Sequence, residues 1–290
     1  MGMSTKVRQI DLDGTPLHYV DEGHGSPIVF VHGYISDERV WRNQRAAFAR
    51  SHRYIGVTQR YFGLAPWPDS GERFSLDTHV EDLAALIRAL GAGPVDVVGW
   101  SYGASLSLEL AARHPECVRS LFAYEPANLA WLSDRVAQEA AAKDRGEMVG
   151  PALAALARGD TADAVRQIFD HAHGRRGLFD TLPSDMRRCF LDNARTVALL
   201  FGTKPLPGID ASALCSLTMP IAIAHGALTR PFYRIVAEGI AARIATARLV
   251  VLPNGMHAAP VLDAAQFNAT VADFLHTAQA DGTARMPASA

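Results

Sequence analysis

Cysteine is scarce in this chain of 290 residues, and the three present, Cys117, Cys189 and Cys215, are far apart and irregularly spaced. No Cys-x-x-Cys pair exists, which argues against a zinc site or a thiol redox motif and leaves no metal to expect. A small, odd count suits a reducing compartment, so a cytoplasmic location is expected. An excess of charge is also lacking: the formal net charge is -2 and only 20% of residues are charged. Without a basic run interleaved with aromatics, neither nucleic acid nor a membrane surface is an expected partner. No uncharged apolar stretch reaches the roughly 18 residues that a membrane span requires. The opening MGMSTKVRQIDLDG has no apolar leader core. Gly-rich phosphate loops and nicotinamide fingerprints are missing too, so no cofactor is expected.

What is present is material for a sizeable core, with 49% apolar residues. Val7–Leu12 and Leu17–Asp21 read as a hairpin turned at Asp13–Gly14. Apolar or β-branched runs at Pro27–Val31, Tyr54–Thr58, Pro94–Gly99 and Val118–Tyr124 read as strands. Helical periodicity at Trp41–Arg50, Thr78–Leu90 and Ala104–His114 lies between them. This alternation predicts an α/β fold with a mostly parallel sheet covered on both faces. The pattern then changes. Residues 128–215 hold helical stretches (Ala130–Gly146, Met148–Arg158, Thr161–Ala172 and Ser184–Leu200) and no convincing strand. They are expected to form a helical cap inserted into a core of 1–127 and 216–280. Strands resume at Ile221–Ala224 and Arg248–Leu252, flanking a helix at Tyr233–Ala245. A last helix is expected over Leu262–Gln279, and a flexible tail over 281–290.

The sharpest local signal is Gly99-Trp100-Ser101-Tyr102-Gly103, a G-x-S-x-G sequence between a buried strand and a helix. A serine on such a turn is lifted above the sheet edge as a candidate nucleophile. It needs a base, because its hydroxyl is a weak nucleophile at neutral pH. His257 is the best of eleven histidines, since it lies beyond the carboxyl end of the strand Arg248–Leu252, where reactive groups gather in open α/β sheets. His114 reads as a helix cap. His171 and His173, in the inserted helices, read as cap or surface polarity, with contact of one of them to substrate as the alternative.

The acid is less obvious. The loop after Ile221–Ala224 reads His225-Gly226-Ala227-Leu228-Thr229-Arg230-Pro231 and holds no carboxylate. Glu125 ends the strand Val118–Tyr124, one unit beyond the nucleophile, and is the candidate that would fix the imidazole tautomer and stabilise its charged form. Asp263 and Asp210 are its rivals. Two amides are needed to hold an oxyanion, and those of Tyr34 and Tyr102 are the candidates. His32 is expected to brace the loop that carries Gly33 and Tyr34.

The His32-Gly33 pair, the Gly99–Gly103 turn and Asn254-Gly255-Met256-His257 together resemble the α/β-hydrolase fold superfamily, from about Gln9 to Gln279. The resemblance implies a nucleophile, acid and histidine in that chain order, a two-amide oxyanion hole, and a pocket between cap and core. Many members carry Asp where this chain has Thr229. One subgroup of haloalkane dehalogenases and the zearalenone lactonases instead place the acid after the preceding strand, and Glu125 matches that position. A second departure is the run Thr58-Gln59-Arg60-Tyr61-Phe62-Gly63-Leu64-Ala65-Pro66, where many relatives show Asp-x-Arg-Gly-x-Gly-x-Ser.

These features lead to the expectation of a cofactor-independent serine hydrolase acting on a small or medium carboxylic ester or lactone with an apolar part. A serine nucleophile argues against dehalogenase or epoxide hydrolase chemistry, for which related enzymes use Asp. Carbon–carbon bond hydrolysis by the same triad and a non-catalytic binding protein are the alternatives. The candidate pocket residues are His32, Gly33, Trp100, Tyr61 and Trp131, with Phe62, Trp67, Phe169, Phe179 and Phe190 as further aromatics. Monomer and homodimer stay open.

Overall fold

The computed structural model describes residues 6–12, 14–201 and 208–284, with side chains up to residue 280. Its strands are β1 (Val7–Leu12), β2 (Thr15–Glu22), β3 (Pro27–Val31), β4 (Arg53–Thr58), β5 (Val95–Trp100), β6 (Val118–Tyr124), β7 (Ile221–Gly226) and β8 (Ala247–Leu252). They form one sheet in the order β1-β2-β4-β3-β5-β6-β7-β8. Strand β2 runs antiparallel to β1 and β4, and the remaining neighbours are parallel. The expected hairpin is there, although Asp13 of its turn lies outside the described residues.

Side chains that alternate along a central strand must be buried on both faces, which explains the near-continuous apolar runs. In β3, Val29 and Val31 face one layer of the core while Ile28 and Phe30 face the other. The sheet is flanked by helices α1 (Arg42–Phe48), α2 (Leu76–Ala89), α3 (Tyr102–Arg113), α9 (Pro231–Ala241), α10 (Ala259–Leu262) and α11 (Ala264–Ala284). The inserted helices are α4 (Arg135–Ala157), α5 (Thr161–Ala172), α6 (Leu178–Thr181), α7 (Ser184–Asp192) and α8 (Val197–Leu200), all between β6 and β7. Among the described residues, no helix is long and apolar enough to cross a membrane.

Several helix limits differ from the sequence reading, and three of them have a plain physical reason. The two helices expected at Ala130–Gly146 and Met148–Arg158 are one, α4, which passes through Gly150 and Pro151. Proline removes the N–H that would bond the carbonyl of Glu147, and Glu147 is exposed, where water can serve that carbonyl. Conversely, the expected helix Ser184–Leu200 is broken after Asp192. Asn193 there gives its side chain to the core: its Nδ2 donates to Asp37 Oδ2 at 2.7 Å and its Oδ1 accepts from the Gly63 amide at 2.6 Å. At the other end, α11 continues to Ala284 through a run rich in alanine, the strongest helix former. The rest of the expected tail, 285–290, lies outside the described residues.

Polar links fasten the insert to the core, and two of them centre on buried or half-buried acids. Asp37 is fully buried, yet it binds Arg39 through both carboxylate oxygens and takes the Asn193 amide. Burial alone would raise its pKa, but the Arg39 guanidinium and the Asn193 amide together hold it below its usual value. Arg230, after β7, grips Asp144 of α4 with two bonds of 3.0 and 2.7 Å.

Backbone approach is very tight where β5 turns into α3. A Cβ on Gly103 would collide with the carbonyl oxygens of Val31 and His32, which are main chain and cannot swing aside. Gly103→Ala is therefore expected to destabilise the fold by about 2 kcal/mol or more, a consequence of overpacking. Urea unfolding of the variant against the parent would measure it, and an unchanged midpoint would contradict the packing described.

Candidate active site

Ser101 stands where β5 meets α3, with φ 58° and ψ -115°. A non-glycine residue in the left-handed half of φ space is strained, and such strain persists only where surrounding bonds hold it. The Ser101 amide donates to Tyr124 O at 2.8 Å, and its carbonyl accepts from the amides of Ala104 and Ser105. The turn is thereby pinned to β6 on one side and to the first turn of α3 on the other.

Glu125 follows β6 directly, also at positive φ (51°), with no exposed surface. A buried carboxylate needs donors, and it has three. The Gly226 amide donates to Oε1 at 2.8 Å, and the Thr229 hydroxyl donates to Oε2 at 3.0 Å. His257 Nδ1 lies 2.6 Å from Oε2. A carboxylate only accepts, so Nδ1 carries the proton and Nε2 keeps its lone pair. Thr229, in the loop where the family resemblance leads one to look for an acid, thus supports Glu125 from a neighbouring strand end. The ring of Tyr233 from α9 stacks on the imidazole at 3.7 Å and 9°, fixing its plane. The backbone of His257 is also fixed, because Trp100 Nε1 donates to its carbonyl at 2.7 Å. The two rival acids are elsewhere: Asp210 accepts from the Ser212 amide and Asp263 from the Gln266 amide.

The loop after β3 presses against the nucleophile turn. A Cβ on Gly33 would stand 3.2 Å from Ser101 Cβ and 3.2 Å from Trp100 O, tight contacts that would make the neighbours give by a few tenths of an ångström. Tyr34 stacks on Tyr102 with ring centres 4.2 Å apart, and Ile35 takes a left-handed conformation (φ 50°) that a β-branched residue seldom adopts. His32 accepts from the Gln59 amide through Nε2 and donates from Nδ1 to Gly33 O. It is buried and neutral, with burial pushing its pKa down to about 4. It clamps β3 to β4, as expected of a brace.

Behind these residues is a cavity of about 550 Å³ between the sheet edge and the inserted helices. Ser101, His257, Gly33, Tyr34, Trp100 and Tyr102 line it. Three residues expected on its wall are not there. Tyr61 turns away at φ 72° and donates to Asp69, and with Phe62 and Trp67 it borders a separate small depression beside β2. Trp131 is fully buried, its indole donating to Ile209 O. His32 lies behind the loop, held by Gln59. Of the inserted aromatics, Phe169 and Phe190 reach the cavity, whereas Phe179 stays in the core.

Sequence reasoning did not single out Arg145 and Tyr233, which line the cavity, and it read His173, also on the lining, chiefly as cap or surface polarity. His173 donates from Nδ1 to Phe169 O at 2.6 Å and accepts the Ala258 amide at Nε2, 2.9 Å away. Its signal was faint, because only the tertiary approach of α5 to the His257 loop gives it a role beyond capping. His79, also unremarked, accepts from the Tyr102 hydroxyl and donates to Arg60 O. Burial lowers the pKa of His79 and of His173 to about 3.

With this geometry in place, comparisons become informative. A family model described as the alpha/beta hydrolase fold matches residues 26–264. The 2-(acetamidomethylene)succinate hydrolase of Mesorhizobium japonicum is 32% identical over 118 residues, 41% of this chain and 42% of that protein. The 2-hydroxymuconate semialdehyde hydrolase of a Pseudomonas species is 32% identical over 117 residues, 39% of this chain and 41% of the relative. The chain thus spans less than half the length of these curated relatives. Among solved structures, an N-acyl homoserine lactone degrading enzyme superposes with a TM-score of 0.69 at 20% identity, covering 92% of this chain and all of that one. An esterase from Exiguobacterium antarcticum gives 0.72 at 20% identity, covering 94% and 100%. At such identity these structures speak for the fold alone.

His32, His79 and His173 make stability depend on pH. Their folded pKa values lie below the ordinary 6.5, so the unfolded chain takes up their protons first as pH falls. Their stabilising contribution is complete above pH 6.5 and is lost on the way down towards their folded values. Each contributes a slope of up to ~1.4 kcal/mol per pH unit. Buried Glu109, pushed up to about 7 by burial, works in the opposite direction between pH 7 and 4.5 and offsets about one histidine. Urea midpoints should therefore decline between pH 6.5 and 4.5, before ordinary carboxylates titrate. A flat profile would show that these rings are not buried neutral.

Proposed function

The chain belongs to the α/β-hydrolase fold family, and from that premise we propose that it is a serine hydrolase of small or medium carboxylic esters or lactones. The observation that carries this reading is the 2.6 Å contact between Glu125 and His257, made beside a serine held at positive φ. A binding protein has no need of a carboxylate buried against a histidine that shares a cavity with a strained serine, so the contact favours an enzyme.

In this mechanism His257 Nε2 takes the proton of Ser101 as Oγ attacks the ester carbonyl. Glu125 keeps the proton on Nδ1 and stabilises the imidazolium that forms, and the stacked Tyr233 ring adds a favourable cation–π contact. The amides of Tyr34 and Tyr102 hold the oxyanion. His257 then protonates the leaving alcohol. Water, activated by the same nitrogen, attacks the acyl-enzyme and releases the acid. The cavity is lined mainly by apolar and aromatic side chains, which suits a substrate with an apolar part.

A second reading is hydrolysis of a carbon–carbon bond beside a carbonyl. It draws on relatives named 2-hydroxymuconate semialdehyde hydrolase and 2-hydroxy-6-oxo-2,4-heptadienoate hydrolase. The same nucleophile and base would serve, with a carbon acid as leaving group.

A rate panel of p-nitrophenyl esters and simple lactones tests the first reading. Ser101→Ala is expected to lose at least about a thousandfold in kcat/KM, and Glu125→Gln between about a hundredfold and ten-thousandfold. Full activity in Glu125→Gln would remove Glu125 from the triad. No Ser101-dependent turnover of any ester or lactone would sink the ester reading.

A further inference from the structure

The cavity wall has a charge imbalance. Its described lining includes no Asp or Glu, and apart from the histidines its only ionisable cation is Arg145 of α4. Arg145 is half-buried, and among the described residues it makes no hydrogen bond and no ion pair. Its direction is set by the helix. Arg145, Met148, Val149 and Leu153 all line the cavity, at spacings of three, four and eight residues that mark one face of a helix. The guanidinium therefore occupies a position in an otherwise apolar stripe.

The nearest acid in sequence is already committed. Asp144 has Oδ1 and Oδ2 bound by Arg230, and Oδ2 also accepts the Phe232 amide at 3.1 Å. The charge of Arg145 reaches across the cavity, for it opposes the burial-driven rise in pKa of both Tyr34 and Tyr233. One of these phenols stacks on Tyr102 and the other on His257. A partly desolvated guanidinium with no counter-charge is costly. Its planar fork matches a carboxylate bidentately, better than any other side chain does.

We infer that Arg145 is an anion-recognition residue of this cavity and that the substrate cleaved at Ser101 carries a free carboxylate, as in a half-ester of a dicarboxylic acid. This rests on the ester-hydrolase reading and specifies its substrate class. Arg145 contributes attraction and orientation: the carboxylate docks on α4, the apolar chain lies along Met148 and Val149, and the reacting carbonyl is held beside Ser101.

The test compares esters of equal shape and different charge. The p-nitrophenyl half-ester of adipic acid is set against p-nitrophenyl 6-methylheptanoate, its neutral isostere. A second pair carries the charge on the alcohol side, with 3-hexanoyloxybenzoate against 3-isopropylphenyl hexanoate, its neutral isostere. The parent enzyme should prefer the anion in at least one pair by about tenfold to a hundredfold in kcat/KM. Arg145→Met should bring that ratio to about one, Arg145→Glu should invert it, and Arg145→Lys should restore part of it. Because each readout is a ratio within one protein, a loss of folded enzyme cancels. Binding of monomethyl adipate and of methyl 6-methylheptanoate to Ser101→Ala, by calorimetry, reads the same preference without turnover. Equal affinity there, or ratios near one in both pairs of the parent, would overturn the assignment. Absence of all ester turnover would sink the hydrolase reading, while the calorimetric comparison would still decide for or against the anion site.

Discussion

The Glu125 carboxylate is the constraint around which the site is arranged. A charge with no exposed surface is tolerable only when donors surround it, and these donors come from two different loops. Gly226 ends β7 and Thr229 follows it, and His257 follows β8. One side chain at the end of β6 therefore ties together the carboxyl ends of three adjacent strands. The imidazole tautomer, the path of the β7 loop and the seat of Thr229 all follow from satisfying that one carboxylate.

Strain accumulates in the same region. Ile35, Ser101 and Glu125 take left-handed conformations just after β3, β5 and β6, which are neighbours in the sheet. Such residues typically cost about 1–3 kcal/mol each. The opposing stabilisation comes from apolar layers on both faces of the sheet, continuous along the central strands. The position of the strain is what lets three loops converge on one cavity. A relaxed turn at Ser101 would lower its hydroxyl towards the helix, and a relaxed residue at Glu125 would carry the carboxylate away from the β8 loop.

Much of this was legible in the sequence, for local reasons. Each parallel strand announces itself as a short buried run, and Ser101, Glu125 and His257 all sit at strand ends that such runs define. Even the absence of an acid near Thr229 pointed to Glu125. The lining of the cavity was far less legible. Tyr61 and Trp131 were expected on it because they are aromatic and near the right loops, but a positive φ turns the first outward and the core takes the second. Arg145 and Tyr233 went unnoticed, and His173 was read chiefly as a cap, because nothing in a helix's own sequence says which stripe will meet the sheet. The break at Asn193 was hidden for the same reason, since its partners Asp37 and Gly63 are more than a hundred residues away in the chain.

His173 carries a consequence for how such a chain diversifies. It belongs to the inserted helices, yet its Nε2 receives the amide of Ala258, the residue after His257. The insert is thus more than a roof that selects substrates, because it also completes the scaffolding of the core's own histidine loop. Transplanting a foreign cap onto this core would orphan that amide unless the donor supplied an acceptor at the same place. Substitutions along the α4 stripe leave that bond in place, whereas exchange of the whole segment removes it.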